Sequence, residues 1–247
     1  MYVDVHTHLF SPMWRLNLKA YFLTKGYNSY LASVSNLKSH TKDFEKCFTL
    51  SMTVPVAGEY EVDFDDFIYE ASKKEDKFLG FVSPRHLEYL KYKNIYGVKF
   101  HRYVQNIDRP VLKRAFNLME KRNQIMNIHI SEDLIHFDKI TNEYIKMFRE
   151  LLQSYPNVRV IIPHFTALDK FIDLKQVYFD TALIPRTGIQ DFIDECGVNK
   201  LLYASDFPFT NPDKDYKKKI IPLDTSRKNK MKILRNNAMH LINRVKK

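Results

Sequence analysis

Four histidines and one aspartate carry the chemistry that this sequence is equipped to do. His6 and His8 close the run Tyr2-Val3-Asp4-Val5-His6-Thr7-His8. Side chains on an extended strand repeat every second residue, so the two imidazoles project to the same side, about 7 Å apart along the chain. His129 closes Asn127-Ile128-His129, His164 follows Ile161-Ile162-Pro163, and Asp206 follows Tyr203-Ala204-Ser205, at the end of an apolar run that must be buried. A single histidine at a strand end is more often a hydrogen-bonded structural residue than a ligand. Recurrence at three strand ends, matched by an aspartate at a fourth, is instead the pattern of a nitrogen and oxygen cage for a divalent metal, with room for water.

Such residues must be brought together by the elements that precede them. Short β-branched or aromatic runs fall at 2–8, 46–54, 78–83, 96–101, 125–130, 158–163, 177–181 and 200–205, giving eight strands. Helical patterns lie between them at 62–76, 84–93, 109–123, 140–154, 167–173 and 188–196. The start at 109 is marked by Asp108 before Arg109-Pro110, a capping carboxylate followed by a proline in the first turn. Strands separated by helices pair in parallel with right-handed crossovers. Eight such units close into a (β/α)8 TIM barrel more naturally than they form an open, doubly wound sheet. The expectation is therefore an α/β chain with a single barrel domain over residues 1–247. The polar residues above then fall at the C-terminal ends of strands 1, 5, 6 and 8, where barrel active sites are built. The connection 9–45, with Trp14, Arg15, Tyr21 and Phe22, would lie over that face as a lid or a packed extension.

Composition narrows the function classes. A hydrophobic content of 45% in regular runs excludes a disordered chain, and no apolar stretch nears the roughly 20 residues of a membrane span. Met1 is followed at once by Tyr2-Val3-Asp4-Val5, without a charged-then-apolar leader, so a cytoplasmic location is expected. Cys47 and Cys196 lack zinc-ribbon spacing and are too few for a disulfide scaffold; both are expected to be reduced, buried and inert. The net charge of +10 suits an anionic substrate or a nucleic acid. Much of it sits in Lys217-Lys218-Lys219 and between Arg227 and Lys232, where no aromatics interleave, and a solvated basic face is the simpler reading.

With these residues in place, the sequence resembles the amidohydrolase superfamily, in particular the branch of aminocarboxymuconate-semialdehyde decarboxylase-like proteins. The resemblance runs nearly end to end. It is carried by Asp4-Val5-His6-Thr7-His8, Gly97-Val98-Lys99-Phe100-His101, His129, His164, Val177-Tyr178-Phe179-Asp180-Thr181, Ala204-Ser205-Asp206-Phe207-Pro208 and the closing Ile233-Leu234-Arg235-Asn236-Asn237-Ala238. It implies that His6, His8, His129 and Asp206 surround one divalent metal, with His164 as an acid/base or a group that polarises the substrate. Asp206 or His164 would receive and return the proton. Lys99 and His101, on one side of strand 4, are expected to contact substrate. In two-metal members of the superfamily a carboxylated lysine on this strand bridges the ions, but Gly-Val-Lys-x-His is nearer the single-metal branch. Arg15, Arg102 and Arg186 follow strands 1, 4 and 7, and each could fork a substrate carboxylate.

The leading expectation is a metal-dependent hydrolase, in which metal-activated water attacks an amide, ester or lactone bond of a small molecule, anionic ones included. The intact His-x-His leans that way, because some decarboxylases of the branch carry an acidic residue in the first position. The alternative on the same cage is non-oxidative decarboxylation of an unsaturated or aromatic acid. A TatD-like metal-dependent nuclease is a third reading; those proteins carry an acidic ligand on a middle strand where this chain has Lys99 and His101. Neither a nucleic acid nor a membrane is therefore an expected partner. A binding protein with a decayed site is opposed by the full set of donors. Zinc is the expected ion, with manganese, iron and cobalt also suited to imidazoles and a carboxylate. A homodimer is the base expectation for a barrel enzyme.

Overall fold

Eight strands pair in chain order as one parallel sheet: β1 (Tyr2–His8), β2 (Phe44–Leu50), β3 (Phe78–Val82), β4 (Ile95–His101), β5 (Ile125–His129), β6 (Arg159–Ile162), β7 (Val177–Asp180) and β8 (Leu201–Leu202). This computed structural model describes residues 1–10, 32–51, 54–55, 61–62, 64–102, 109–131, 140–209 and 215–246. The sheet curls until its last strand meets its first. The Val5 N–H donates to Tyr203 O (3.1 Å), the Asp206 N–H to His6 O (2.9 Å) and the His8 N–H to Phe207 O (2.7 Å), so the fold is a (β/α)8 TIM barrel.

The described helices are α1 (Val34–His40), α2 (Asp65–Lys74), α3 (Arg109–Arg122), α4 (Asn142–Ser154), α5 (Leu168–Phe171), α6 (Arg186–Cys196), α7 (Asp215–Lys219), α8 (Arg227–Met231) and α9 (Asn237–Ile242). The alternation of β4 and β5 shows how sequence builds the barrel. Val98, Phe100, Met126 and Ile128 face outward into a large apolar layer with Phe116 of α3 and Phe148 of α4. Lys99, His101, Asn127 and His129 take the other face, with Lys99 opposite Asn127 and His101 opposite His129. A second apolar cluster, including Val3, Phe48, Phe81, Ile161 and Leu202, joins the strands to Ala238 and Leu241 of α9. Gly97 is required on β4 beside β5, since a Cβ there would lie 1.7 Å from the Ile125 carbonyl oxygen.

Several expected boundaries shift. The run 46–54 is not one strand. β2 ends at Leu50, and Val54–Pro55 pairs antiparallel with Glu61–Val62, proline being confined to such an edge. The helix expected at 84–93 is a 3-10 turn over Leu87–Lys91. The last strand keeps only Leu201 and Leu202 in the ladder, because Tyr203 donates its N–H to Ile233 O (3.0 Å), in the π-helical turn Lys232–Asn236. Cys47 is buried as expected, whereas Cys196, the last residue of α6, is exposed. Lys217, Lys218, Arg227 and Lys228 are exposed, consistent with a solvated basic face. The Asp108 cap, Arg15 and most of the 9–45 connection lie outside the described residues. Among the described residues no helix is long and apolar enough to cross a membrane.

Candidate metal centre

Five imidazoles line the C-terminal mouth of the barrel in a closed ring. Neighbouring ring centroids are 5.0 Å apart for His6 and His8, 6.3 Å for His8 and His101, and 6.1 Å for His101 and His129. His129 to His164 is 5.3 Å, and His164 to His6, 5.5 Å, completes the circuit. His6, His8, His101 and His129 are buried, and His164 is partly so. Burial lowers all five imidazoles from their ordinary value, His6, His101 and His129 well below it, so that they are neutral nitrogen donors.

Three donors converge. His6 Nε2 lies 3.1 Å from His8 Nε2, and Asp206 Oδ1 lies 3.4 Å from the first and 3.5 Å from the second. A triangle with those edges has a centre about 2 Å from each atom, the distance at which nitrogen and oxygen hold a divalent ion. The outer hydrogen bonds fix the tautomers. His6 Nδ1 donates to Asp180 Oδ2 (2.9 Å) and His8 Nδ1 to the Leu50 carbonyl (3.2 Å). Both Nε2 atoms are then bare lone pairs facing each other, a repulsion that a shared cation relieves. On this chemistry the residues fit a divalent metal, and His6, His8 and Asp206 can hold it.

The remaining expected residues stand around this trio. His129, expected as a fourth donor, is not among the three that converge; its Nδ1 is hydrogen-bonded to Ser131 Oγ at 2.9 Å, and its ring lies between those of His101 and His164. His164 does not end a strand. It sits in the 3-10 turn Pro163–Phe165 with φ 60°, its N–H on Asp180 Oδ1 (3.3 Å) and its Nδ1 donating to Ala182 O (3.0 Å). Lys99 is buried, donates from Nζ to Asn127 Oδ1 (2.7 Å) and comes within 3.5 Å of His6 Nε2. Burial pulls its ammonium down and pushes the Asp180 carboxyl up, against their mutual attraction. Asn127 Nδ2 and Ser51 Oγ are buried without a protein partner among the described residues, leaving polar capacity for a bound molecule or water. Arg102 places its guanidinium 3.8 Å over the Tyr144 ring, and Arg186 is exposed at the start of α6.

Sequence reasoning missed the residues that orient the donors. Asp180 binds His6 through one oxygen and the N–H groups of His164 and Ala182 through the other (3.3 and 3.1 Å). Asp4 accepts from the N–H groups of His6 and Ser205, both at 3.1 Å. Both carboxylates are fully buried. The available signal was an aspartate inside, or at the end of, an otherwise apolar strand. Asp206 itself, with φ 58°, occupies the left-handed region that side chains other than glycine rarely adopt, as His164 does.

The family model described as amidohydrolase matches residues 3–244. A search of curated proteins returned no match. Among solved structures, the chain is similar to 2,6-dihydroxybenzoate decarboxylase from Rhizobium, at 14% identity and TM-score 0.73, covering 98% of each chain. It is similar to 5-carboxyvanillate decarboxylase from Novosphingobium aromaticivorans complexed with manganese, at 11% identity and TM-score 0.76, covering 98% of this chain and 96% of that one. A dihydroxybenzoic acid decarboxylase from a Polaromonas species with bound manganese matches at 15% identity and TM-score 0.68, covering 98% and 96%. These findings correct the leading expectation of hydrolysis, since the matched proteins cleave carboxyl groups from aromatic acids. The lean toward hydrolysis rested on the intact His-x-His, and two convergent imidazoles serve either reaction equally. A matching model over nearly the whole length places the chain in the amidohydrolase family, as an enzyme of that superfamily.

Proposed function

We propose that the protein is a metal-dependent, non-oxidative decarboxylase of a small aromatic or unsaturated carboxylic acid. The observation that carries this reading is the convergence of His6, His8 and Asp206 at the mouth of a barrel whose whole length matches aromatic-acid decarboxylases. The ion is a single divalent one, held by the trio with His129 as the adjacent imidazole. It is zinc, the expectation from the sequence, or manganese, which two of the similar structures hold. When bound it supplies a Lewis acid that anchors substrate oxygens and withdraws electron density from the reacting carbon.

The chain's own residues do the rest. Buried neutral imidazoles give the mouth a water-poor lining, in which a substrate carboxylate loses hydration, a cost relieved as its charge moves to the ring carbon and neutral carbon dioxide forms. Cleavage of the carbon–carboxyl bond leaves its electron pair on the ring carbon, which must then take a proton; no electron enters or leaves overall. Asp206 delivers that proton. Its Oδ1 approaches His6 and His8, so Oδ2 is the oxygen left to take a proton from solvent and pass it to the ring carbon. His164, whose Nδ1–H is committed to Ala182 O, offers Nε2 as an acceptor that orients the substrate or takes up a proton. His101 contacts the substrate from the opposite side of the ring of imidazoles. Lys99, held by Asn127, acts on the site from within the barrel as an amine, so a second ion on carboxylated lysine is not part of this reading.

Purified protein loaded with zinc or manganese should release carbon dioxide from 2,6-dihydroxybenzoate, 5-carboxyvanillate or a related hydroxylated benzoate. In heavy water the product should carry deuterium at the vacated carbon. Turnover of lactones or amides together with no carbon dioxide from any aromatic acid would sink the proposal.

A further inference from the structure

A second buried polar cluster surrounds Asp4, and no step of the proposed reaction uses it. Asp4 Oδ1 accepts from the backbone N–H groups of His6 and Ser205, each at 3.1 Å. His40 Nε2 lies 3.3 Å from Asp4 Oδ2 and 3.1 Å from Ser205 Oγ, which in turn accepts the Phe207 N–H at 3.1 Å. The His40 side chain is 3% exposed and stacks on Phe207 (5.0 Å, 19°) and Phe44 (5.9 Å, 23°). The three side chains are those of a nucleophilic triad, but the geometry is not. Such a triad puts its acid and its hydroxyl on different ring nitrogens, whereas here both meet the same one, away from solvent.

What the cluster spans is informative. Its backbone bonds reach His6 on β1 and Ser205 beside Asp206, so one carboxylate ties together the two segments that carry the converging donors. It does so where regular pairing is poor. The β1–β2 ladder is irregular between Asp4 and Thr7, and the β8 end meets β1 through individual bonds rather than a continuous ladder. Asp206 is also held in a backbone conformation it would not choose. His40 closes the arrangement from α1, a helix that carries no donor.

We propose that Asp4, His40 and Ser205 form a positioning clamp that keeps the backbones of His6 and Asp206 in the register at which their donor atoms converge. His40 supplies the shared proton that completes it. The function of the clamp rests on the metal reading of the trio, and its existence does not.

The test uses three full-length variants and two readouts. His40→Phe keeps the stacked ring and removes the donor; His40→Gln restores a donor near the position of Nε2; Ser205→Ala removes the hydroxyl. Hydrogen exchange of the metal-free protein over residues 203–209 reads the clamp, and competition against a chelator reads zinc and manganese affinity. In His40→Phe, exchange there should quicken at least about tenfold and metal affinity fall about 10- to 100-fold, as outer partners of metal sites typically give. His40→Gln should recover most of both, and Ser205→Ala should fall between. Unchanged exchange in a folded His40→Phe overturns the proposal, as does a His40→Gln variant no better than the phenylalanine one. If His40→Phe does not fold, unchanged exchange in Ser205→Ala overturns it. Wild-type protein that binds neither metal refutes the metal reading alone, and the exchange data still decide the clamp.

Discussion

Replacing Asp180 with asparagine should weaken metal binding through a change of tautomer rather than a loss of volume. One Asp180 oxygen accepts two backbone N–H groups, from His164 and Ala182, and the other accepts His6 Nδ1–H at 2.9 Å. In Asp180→Asn the amide oxygen is claimed by the two backbone donors, so the NH2 group must face His6. Two donors cannot share that contact. His6 then has to carry its proton on Nε2, the nitrogen that points at His8 and Asp206. A charge-assisted hydrogen bond is worth about 1.5–3 kcal/mol. At 1.4 kcal/mol per decade that is roughly 10- to 100-fold in metal affinity, the range seen for outer partners of metal-ligating histidines. The assay is competition with a chromophoric chelator at neutral pH, alongside Asp180→Ala, which removes the acceptor but presents no opposing donor. Asparagine should bind metal more weakly than alanine if the tautomer argument is right. An asparagine variant with wild-type affinity would refute it.

Further expectations test other parts of the molecule. His8→Ala, which removes one of the three converging donors, should lose metal and turnover together, whereas His164→Ala should keep most of its metal and lose turnover; equal metal loss in elemental analysis of the two would place His164 in the cage. Metal-free protein should be acid-labile, because burial holds five imidazoles below their unfolded value of 6.5. Below that pH the unfolded chain binds protons that the folded one refuses. Stability present above it is then lost at up to about 1.4 kcal/mol per pH unit for each imidazole, and a melting temperature flat from pH 7 to pH 5 would contradict this. Phe148→Ala, which empties a fully buried position against Phe116 and Phe171, should cost about 3–5 kcal/mol in denaturant unfolding. A loss under 1 kcal/mol would mean that the apolar layer outside the strands collapses to fill the space.

The barrel was legible from the sequence because its signal is local and repeated. Each strand is a short apolar run, each is followed by a helical or turn segment, and that alternation allows few topologies. His6, His8 and Asp206 were legible for the same reason, since period-two geometry and a position after an apolar run decide which way a side chain faces. The choice between hydrolysis and decarboxylation was not legible, because both need the same donors and differ in what occupies the mouth above them. Nor was the split within the ring of imidazoles, where His6 and His8 converge with Asp206 and His129 stands beside them. That outcome depends on the curl of eight strands and on the left-handed backbone at His164 and Asp206, which no spacing rule encodes. The supports were hidden most completely. Asp180 is 174 residues from His6, and Ser205 is 165 residues from His40. A hydrogen bond acts over about 3 Å, so only the closure of the barrel, bringing its last strands against its first, decides which carboxylate holds which histidine.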